Sequence, residues 1–492
     1  MQVSLVGALI CTGLLALVVY MRWSMITALI ASLAFGATAI GTITSLGGSS
    51  PLIFTVFNML VIVAALARRG IWREIGAVFV RIGAAWIVCA LMIYVCIGAL
   101  LFPRLFAGQT SAFVASRTGK GVYEAALAPV SANISQAGYF ILGGLTFLAA
   151  CLLLQRSGTL ADIRRGFFLW FSLHVFMGIL DLLGKVIGAG DILAPIRTAN
   201  YAMLTQVTEA GFWRIAGAFS EASSFGGASL AGLAFTYTYW RKTGSKFALG
   251  LGAALFVLLL LSTSSTAYVG LAIVSVPVVF SIVKSLASGR LRWGEALLIA
   301  LLPPLLLSAM AASLFYPHFL DPVLQLVDNT VINKVTSASG QERSYWNYKS
   351  LQSFFDTGGL GVGLGSSRAS SWPIAVLSQL GLFGTAMMAV LLAMLVRGMR
   401  GSRVGRIDPE IDAIASSVRA CALSALVAGS LASGGADPGI VFLIPLAVVL
   451  VSRLLPVEDD SVAEAPVRTL RHSPDSSEHV IQSQVGTVPG RA

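Results

Sequence analysis

The stretch Gly211–Ala231, GFWRIAGAFSEASSFGGASLA, decides how the chain is to be read. It holds one arginine, one glutamate and four serines, and it runs without a break into apolar sequence. The 492-residue chain around it is 56% hydrophobic and only 11% charged, with a mean hydropathy of +0.84. Charges held against lipid are costly and tend to be kept for function. The stretch therefore reads as the wall of a site at a membrane surface, with the apolar segments as its scaffold.

Working outward, apolar runs long enough to cross roughly 30 Å of hydrocarbon recur along the whole chain. Thirteen candidates fall at about 3–20, 25–46, 51–67, 77–102, 136–154, 166–189, 225–240, 247–262, 265–284, 295–313, 373–396, 412–431 and 438–454. The expected fold is an all-α polytopic membrane protein of about 12–14 transmembrane helices, with residues 1–456 as the transmembrane domain. The N-terminal run lacks a basic n-region and a small-residue cleavage site, so it reads as a retained span. Residues 457–492, rich in Ser, Asp, Glu and Pro, read as a disordered cytoplasmic tail. Cys11, Cys89, Cys96, Cys151 and Cys421 all fall inside apolar runs without metal-ligand spacing, and read as small buried hydrophobes.

The net charge of +11 comes from 33 basic and 22 acidic residues, and its distribution matters more than its size. Threading the spans alternately puts most of the arginines and lysines on one side, including Arg68, Arg69, Arg73, Arg81, Arg164, Arg165, Arg241 and Lys242. The positive-inside rule makes that side cytoplasmic, so the basic balance needs no nucleic-acid partner. Three long loops then face outward, at about 103–135, 190–224 and 314–372.

The second loop carries Arg214, Gly217, Phe219, Glu221, Ser223 and Ser224 just before a span. If the segment is helical, Arg214 and Gly217, and then Glu221 and Phe225, fall on neighbouring turns. Glu221, Ser223 and Ser224 would lie near a helix start, where unpaired N–H groups favour anions; interfacial capping with a local Arg–Glu pair is the alternative. The third loop carries Lys334, Ser339, Gly340 and Arg343, then the aromatics Tyr345, Trp346 and Tyr348. It continues into Gly358–Gly365, GGLGVGLG, a flexible turn whose backbone could approach a ligand closely at Gly363 and Gly365. That run lacks the GK[ST] ending of a nucleotide phosphate loop. Arg343 offers a fixed fork of donors suited to a pyrophosphate, or else is a solvated loop arginine. Asp181 and Lys185, four apart inside a span, read as a buried structural pair before a proton relay, and His174 as a packed histidine. His318 has no companions at metal-ligand spacing, and no zinc motif or nucleophilic triad can be argued.

These pieces, in this order, resemble the polytopic family of O-antigen ligases and Wzy-type polysaccharide polymerases. The resemblance rests on RIAGAFSEASSF from Arg214 to Phe225, LSTSSTA from Leu261 to Ala267, and SGQER from Ser339 to Arg343. It continues through GVGLGS from Gly361 to Ser366 and QLGLFG from Gln379 to Gly384, covering about residues 200–390. The pattern departs at Ala222, where the family has proline, and at Ser265, where it often has arginine. Ser370 and Ser371 stand where the ligases carry a histidine, which favours a polymerase over a ligase.

The resemblance implies a metal-independent glycosyl transfer, without cofactor, at the outer face of a bacterial inner membrane. The implied fold is similar to that of GT-C membrane glycosyltransferases that use lipid-linked sugars. Polyprenyl-pyrophosphate-linked oligosaccharides would serve as donor and acceptor, with a chain-length regulator and a flippase as further partners. On that reading Arg214 and Arg343 hold the pyrophosphate and Glu221 acts as base. Ser223, Ser224, Lys334, Ser339, Gly340, Gly363 and Gly365 would contact substrate. A ligase with a different acceptor is the runner-up within the family. A lipid-linked sugar transporter or flippase is the rival from another class.

Overall fold

The computed structural model describes residues 2–44, 48–115, 122–156, 158–209, 212–289, 336–399 and 408–454, with scattered positions between 295 and 333. Lys334, the tail expected at 457–492 and most of the span expected at 295–313 lie outside these residues. In chain order the first elements are β1 (Gln2–Val3), α1 (Leu5–Tyr20), α2 (Met25–Ser32), β2 (Gly41–Thr42), α3 (Ile53–Leu66), α4 (Ile71–Arg81) and α5 (Ala84–Leu105). Next come β3 (Ser111–Ala115), β4 (Val122–Ala126), α6 (Ser131–Leu153), α7 (Thr159–Val186), β5 (Thr208–Glu209) and β6 (Phe212–Trp213). The last are α8 (Ala222–Thr243), α9 (Lys246–Leu261), α10 (Ser265–Ala287), α11 (Ala338–Asp356), α12 (Trp372–Arg397), α13 (Pro409–Ala432) and α14 (Ile440–Ser452).

The chain is mostly helical and has the long apolar helices of a multi-pass membrane protein. Among the described residues, six helices are long and apolar enough to cross a membrane: α5, α6, α7, α10, α12 and α13. The count rises to seven if the bent pair α3–α4 is one span, while α1, α9 and α14 are apolar but shorter. Three small antiparallel strand pairs, β1–β2, β3–β4 and β5–β6, interrupt the expected all-α pattern. The core runs through the bundle, where α8 packs along α13 and α9, and α2 lies against α7.

The span expected at 25–46 is not one helix. α2 stops after 8 residues, about 12 Å at 1.5 Å each, and irregular backbone follows. Such backbone is tolerated among apolar helices only where protein satisfies it. Here the Ala37 amide donates to the Ala218 carbonyl (2.9 Å), the Ala199 amide to the Ala37 carbonyl (3.0 Å) and the Ala39 amide to Thr198 Oγ1 (3.0 Å). The apolar run is therefore half helix and half a support for the 190–220 loop. The span expected at 77–102 likewise starts only at Ala84, because the helix breaks at Ile82, whose φ of −119° and ψ of 89° are not helical.

α12 is broken at Gly381, whose φ of +63° and ψ of −169° interrupt the ladder. The freed groups are taken up by the glycine run before it. The Val362 amide donates to the Ser378 carbonyl (2.9 Å), Gly363 to Gln379 (3.1 Å), and Leu382 to the Gly359 carbonyl (2.9 Å). The Tyr94 hydroxyl donates to the Leu380 carbonyl at 2.9 Å.

Several of the basic residues that the threading puts on one side stand at one end of the bundle. Arg164 pairs with Glu410 and Lys242 with Asp412, joining the start of α7 and the end of α8 to the start of α13. The 190–220 loop, the β3–β4 hairpin and the turn between α13 and α14 sit with the opposite ends of these helices.

Candidate functional site

The site end is organised by a charge cluster at the end of α7. Asp181 and Lys185 lie four residues apart on one helix face, which brings Lys185 Nζ to 2.9 Å from Asp181 Oδ2. Both side chains are 1% exposed, so they form the buried pair expected from the sequence. Asp181 Oδ2 also accepts from the amides of Ala216 (2.8 Å) and Gly217 (3.1 Å), and Lys185 donates to the Arg214 carbonyl at 2.7 Å. Arg197, which the sequence reading did not single out, completes the set. Its Nε donates to the Gly217 carbonyl at 2.9 Å, and its guanidinium pairs with Asp191 and reaches Asp181 Oδ1 at 3.4 Å. Two cations and two carboxylates thus balance inside the protein and grip the backbone from Arg214 to Gly217.

That grip sets the path of the opening stretch. Residues 214–220 are not helical, contrary to the spacing argument that put Arg214 and Gly217 on neighbouring turns. Gly217 has a φ of +54°, and a Cβ there would meet the Phe225 ring at 2.8 Å, so the bend demands glycine. Phe219 then presses on Gly36, and the Phe225 ring stacks on His174 at 4.3 Å. His174 Nε2 is 2.8 Å from Ser229 Oγ, so the packed reading of this histidine holds.

Glu221 is the N-cap of α8, which places Glu221, Ser223 and Ser224 at a helix start as expected. The Ser223 hydroxyl donates to the Glu221 carboxylate. Ser223 and Ser224 line a cavity of about 420 Å³ between α8, α13 and the segment after α2. Its walls are mostly small or aromatic, among them Gly36, Trp170, Ala228, Trp372 and Gly429. A cavity of this size, largely apolar with a few convergent polar groups, has the character of a ligand pocket.

One of those polar groups is Asp437, in the turn between α13 and α14. Burial pushes its carboxyl up from the ordinary aspartate range, partly offset by the Gly439 amide donating at 2.8 Å. The sequence reading passed over Asp437, although an acid between two apolar helices is the signal that could have found it. Gln379 of the QLGLFG segment stitches this turn to the glycine run. Its Nε2 donates to the carbonyls of Ser367 (3.0 Å) and Gly434 (3.4 Å), and its Oε1 accepts from Gly365 (3.2 Å).

Arg214 follows β6 and is half-buried, with the Tyr268 hydroxyl of α10 within its electrostatic range. The LSTSSTA segment makes the turn between α9 and α10, and Ala267 packs against Gly226 of α8. Thr263 there adopts a φ of +48°, and the buried hydroxyls of Thr263 and Ser264 find no partner among the described residues. Orphaned buried hydroxyls and a strained backbone are features that functional turns retain.

Arg343 stands elsewhere. It is on the second turn of α11, which packs on α12 and the β3–β4 hairpin, and it is not among the residues lining the cavity. Ser339 is exposed at the start of α11, and the Gly340 amide is taken by the N-cap hydroxyl of Ser337 at 3.2 Å. Gly363 and Gly365 are the positions where the structure spends glycine on packing. A Cβ on Gly363 would lie 2.5 Å from the Gly98 carbonyl oxygen, and one on Gly365 2.5 Å from that of Ala132. The open ligand-approaching turn expected at 358–365 is instead wedged between α5, α6 and α12. Arg368, just after it, lies 5.6 Å from the Trp346 ring centroid and packs on Gly434, two residues from Ala436 and three from Asp437. It is an exposed cation against the turn between α13 and α14 that the sequence reading did not mark.

No protein-family model matches the chain, and no curated protein matches it.

Proposed function

We propose that the protein is a bacterial surface-polysaccharide polymerase of the inner membrane. On this reading about 12–14 spans in a GT-C-like arrangement hold a site that faces the periplasm. It would move a growing glycan from polyprenyl pyrophosphate to a hydroxyl of another lipid-linked repeat. The observation that carries the proposal is an apolar cavity lined by Ser223, Ser224 and Asp437. It opens on the start of α8, whose N-cap is Glu221, and the chain enters that helix from Arg214 on a loop fixed by buried charges.

The chemistry follows from those groups. The acceptor hydroxyl oxygen attacks C1 of the donor's reducing-end sugar, and the bond from C1 to the phosphate oxygen breaks. The pyrophosphate leaves with the electron pair, and a carboxylate takes the hydroxyl proton. A leaving group that gains negative charge is stabilised by a cation held in place before the reaction, the role assigned to Arg214. Arg343 is the second cation of the proposal, acting from α11 outside the cavity. A proton acceptor must come within hydrogen-bond reach of the hydroxyl; Glu221 and Asp437 are the two carboxylates assigned to that region. A ligase using the same donor is the second reading, and the serines at 370 and 371 are what set it behind a polymerase.

The test is a reconstituted assay with purified protein in lipid, polyprenyl-pyrophosphate-linked repeat, and neither metal nor nucleotide. A product ladder is expected, reduced by a factor on the order of 10²–10³ in Arg214→Ala. Transfer only to an added foreign acceptor would make the protein a ligase. Movement of intact lipid-linked sugar across the bilayer without transfer would sink the enzyme reading.

A further inference from the structure

The basic end of the bundle carries a helix that the proposed chemistry does not use. α4 leaves α3 at 106°, too sharply for the two to be a single straight span. The corner is made by Gly70, whose φ of +78° suits the left-handed turn. Arg68 locks the corner, pairing with Glu74 at 3.1 Å and donating to the Leu152 carbonyl at the end of α6 at 3.1 Å. At the far end the Trp86 indole donates to the Phe79 carbonyl at 3.1 Å, with the two rings edge to face at 4.8 Å. α4 is therefore held at a sharp angle to α3 and tied to α6 at one end and α5 at the other.

Its sequence, IWREIGAVFVR, sorts into three sectors at 100° per residue. Val78 is buried against the bundle, with Ile71 and Ile75 partly buried beside it. Trp72 and Val80 fall on a second sector and are 83% and 86% exposed. Arg73 and Arg81 fall on the remaining sector with Glu74. The apolar arc is thus wider than the bundle can cover, and its uncovered part adjoins arginines. Arg68 neutralises Glu74, and the exposed Arg69, Arg73 and Arg81 have no ion-pair partner among the described residues.

We infer that α4 is an in-plane membrane helix that binds anionic phospholipid headgroups through Arg69, Arg73 and Arg81, with Trp72 and Val80 seated at the acyl boundary. A cationic face beside an exposed aromatic and aliphatic face is the pattern that lies in a headgroup layer and prefers anionic lipid. The inference stands apart from whatever reaction occurs at the other end of the bundle.

The test uses the full chain in phosphatidylcholine vesicles with spin-labelled phosphatidylglycerol or spin-labelled phosphatidylcholine as the probe. The wild type should retain the phosphatidylglycerol probe more strongly. The preference should fall about fivefold per arginine removed at low salt in the variant R69Q/R73Q/R81Q, with phosphatidylcholine association unchanged. Inorganic phosphate should not displace the lipid probe. An unchanged preference in the triple variant, or its abolition by inorganic phosphate alone, would overturn the inference. The second measurement isolates Trp72 as the fluorescence difference between wild type and Trp72→Phe. Quenching of that difference by brominated lipid supports the in-plane seat, and quenching by aqueous iodide without bromolipid quenching refutes it.

Discussion

Two charge clusters tie extramembrane segments to the bundle, and they are built to opposite rules. Asp181, Lys185, Arg197 and Asp191 hold the 190–220 loop from inside the protein, with Asp181 and Lys185 each 1% exposed. Glu124 holds the β3–β4 hairpin to α11 at the surface, accepting from Ser111 (2.5 Å) and Tyr345 (3.0 Å) and pairing with Lys349 (3.2 Å). Water competes for every contact in the second cluster and for almost none in the first. A buried ion pair contributes little beyond an apolar substitute, but removing one partner strands the other. The difference teaches which segment is fixed: the loop bearing Arg214 and Glu221 is locked, and the hairpin and α11, away from the cavity, are only fastened.

Breaking the buried cluster should give the largest effect. Asp181→Ala strands Lys185, leaves Arg197 with Asp191 as its one carboxylate and leaves the Ala216 and Gly217 amides without their acceptor, so a loss of about 3–5 kcal/mol is expected. Denaturant unfolding in detergent micelles would measure it. Asp181→Asn keeps an oxygen for the two amides and should fall between wild type and alanine. Replacing Asp181 and Lys185 together with apolar residues should recover part of the loss. A double variant no more stable than Asp181→Ala would mean that the amide contacts, and not the charges, hold the loop.

Asp437 sharpens the comparison, because it is a partly buried carboxyl held by an amide instead of a cation. Its folded-state pKa is raised above the unfolded value, so the folded protein favours the protonated form. The stability it contributes is fully present below the ordinary aspartate range, near 3.9, and is lost as pH rises through the raised value. Wild type should therefore be destabilised relative to Asp437→Asn as pH rises across that window. If Asp437 takes the acceptor's proton, turnover should climb over the same range in wild type and be lost in the asparagine variant. A pH series of melting midpoints beside initial rates separates the two effects.

How much of this was legible depended on whether a feature is local in the chain. The Asp181–Lys185 pair is an i, i+4 relation inside an apolar helix, and the spacing alone carries it. Arg197 joins that pair from a loop after the helix has ended, and no spacing rule reports such a contact. The run 25–46 has the length and hydropathy of a span, yet α2 ends at Ser32 because the backbone after it bonds to the 198–218 loop. GGLGVGLG and QLGLFG are legible as two glycine motifs, but only the fold shows that one completes the broken helix containing the other. Local composition marks where glycine is needed; whether ligand or backbone comes close is decided by tertiary contacts.

The exposed cluster should give the smallest effect and the one most dependent on conditions. Hydrogen bonds from Ser111, Tyr345 and Lys349 hold the Glu124 carboxyl below the usual glutamate range. The contribution of that lowered pKa is present above the unfolded value, near 4.3, and is lost as pH falls through the folded one. Exposed ion pairs are worth little and are screened by salt. Glu124→Gln should therefore leave the global unfolding midpoint unchanged within measurement. Its mark should be local: faster proteolytic nicking of the 103–135 segment at neutral pH and low salt. The gap from wild type should close in high salt, as screening weakens the wild-type contact. If Glu124→Gln lowered the global midpoint as much as Asp181→Ala does, burial would not be what separates the two clusters, and the hairpin would be as integral to the bundle as the loop.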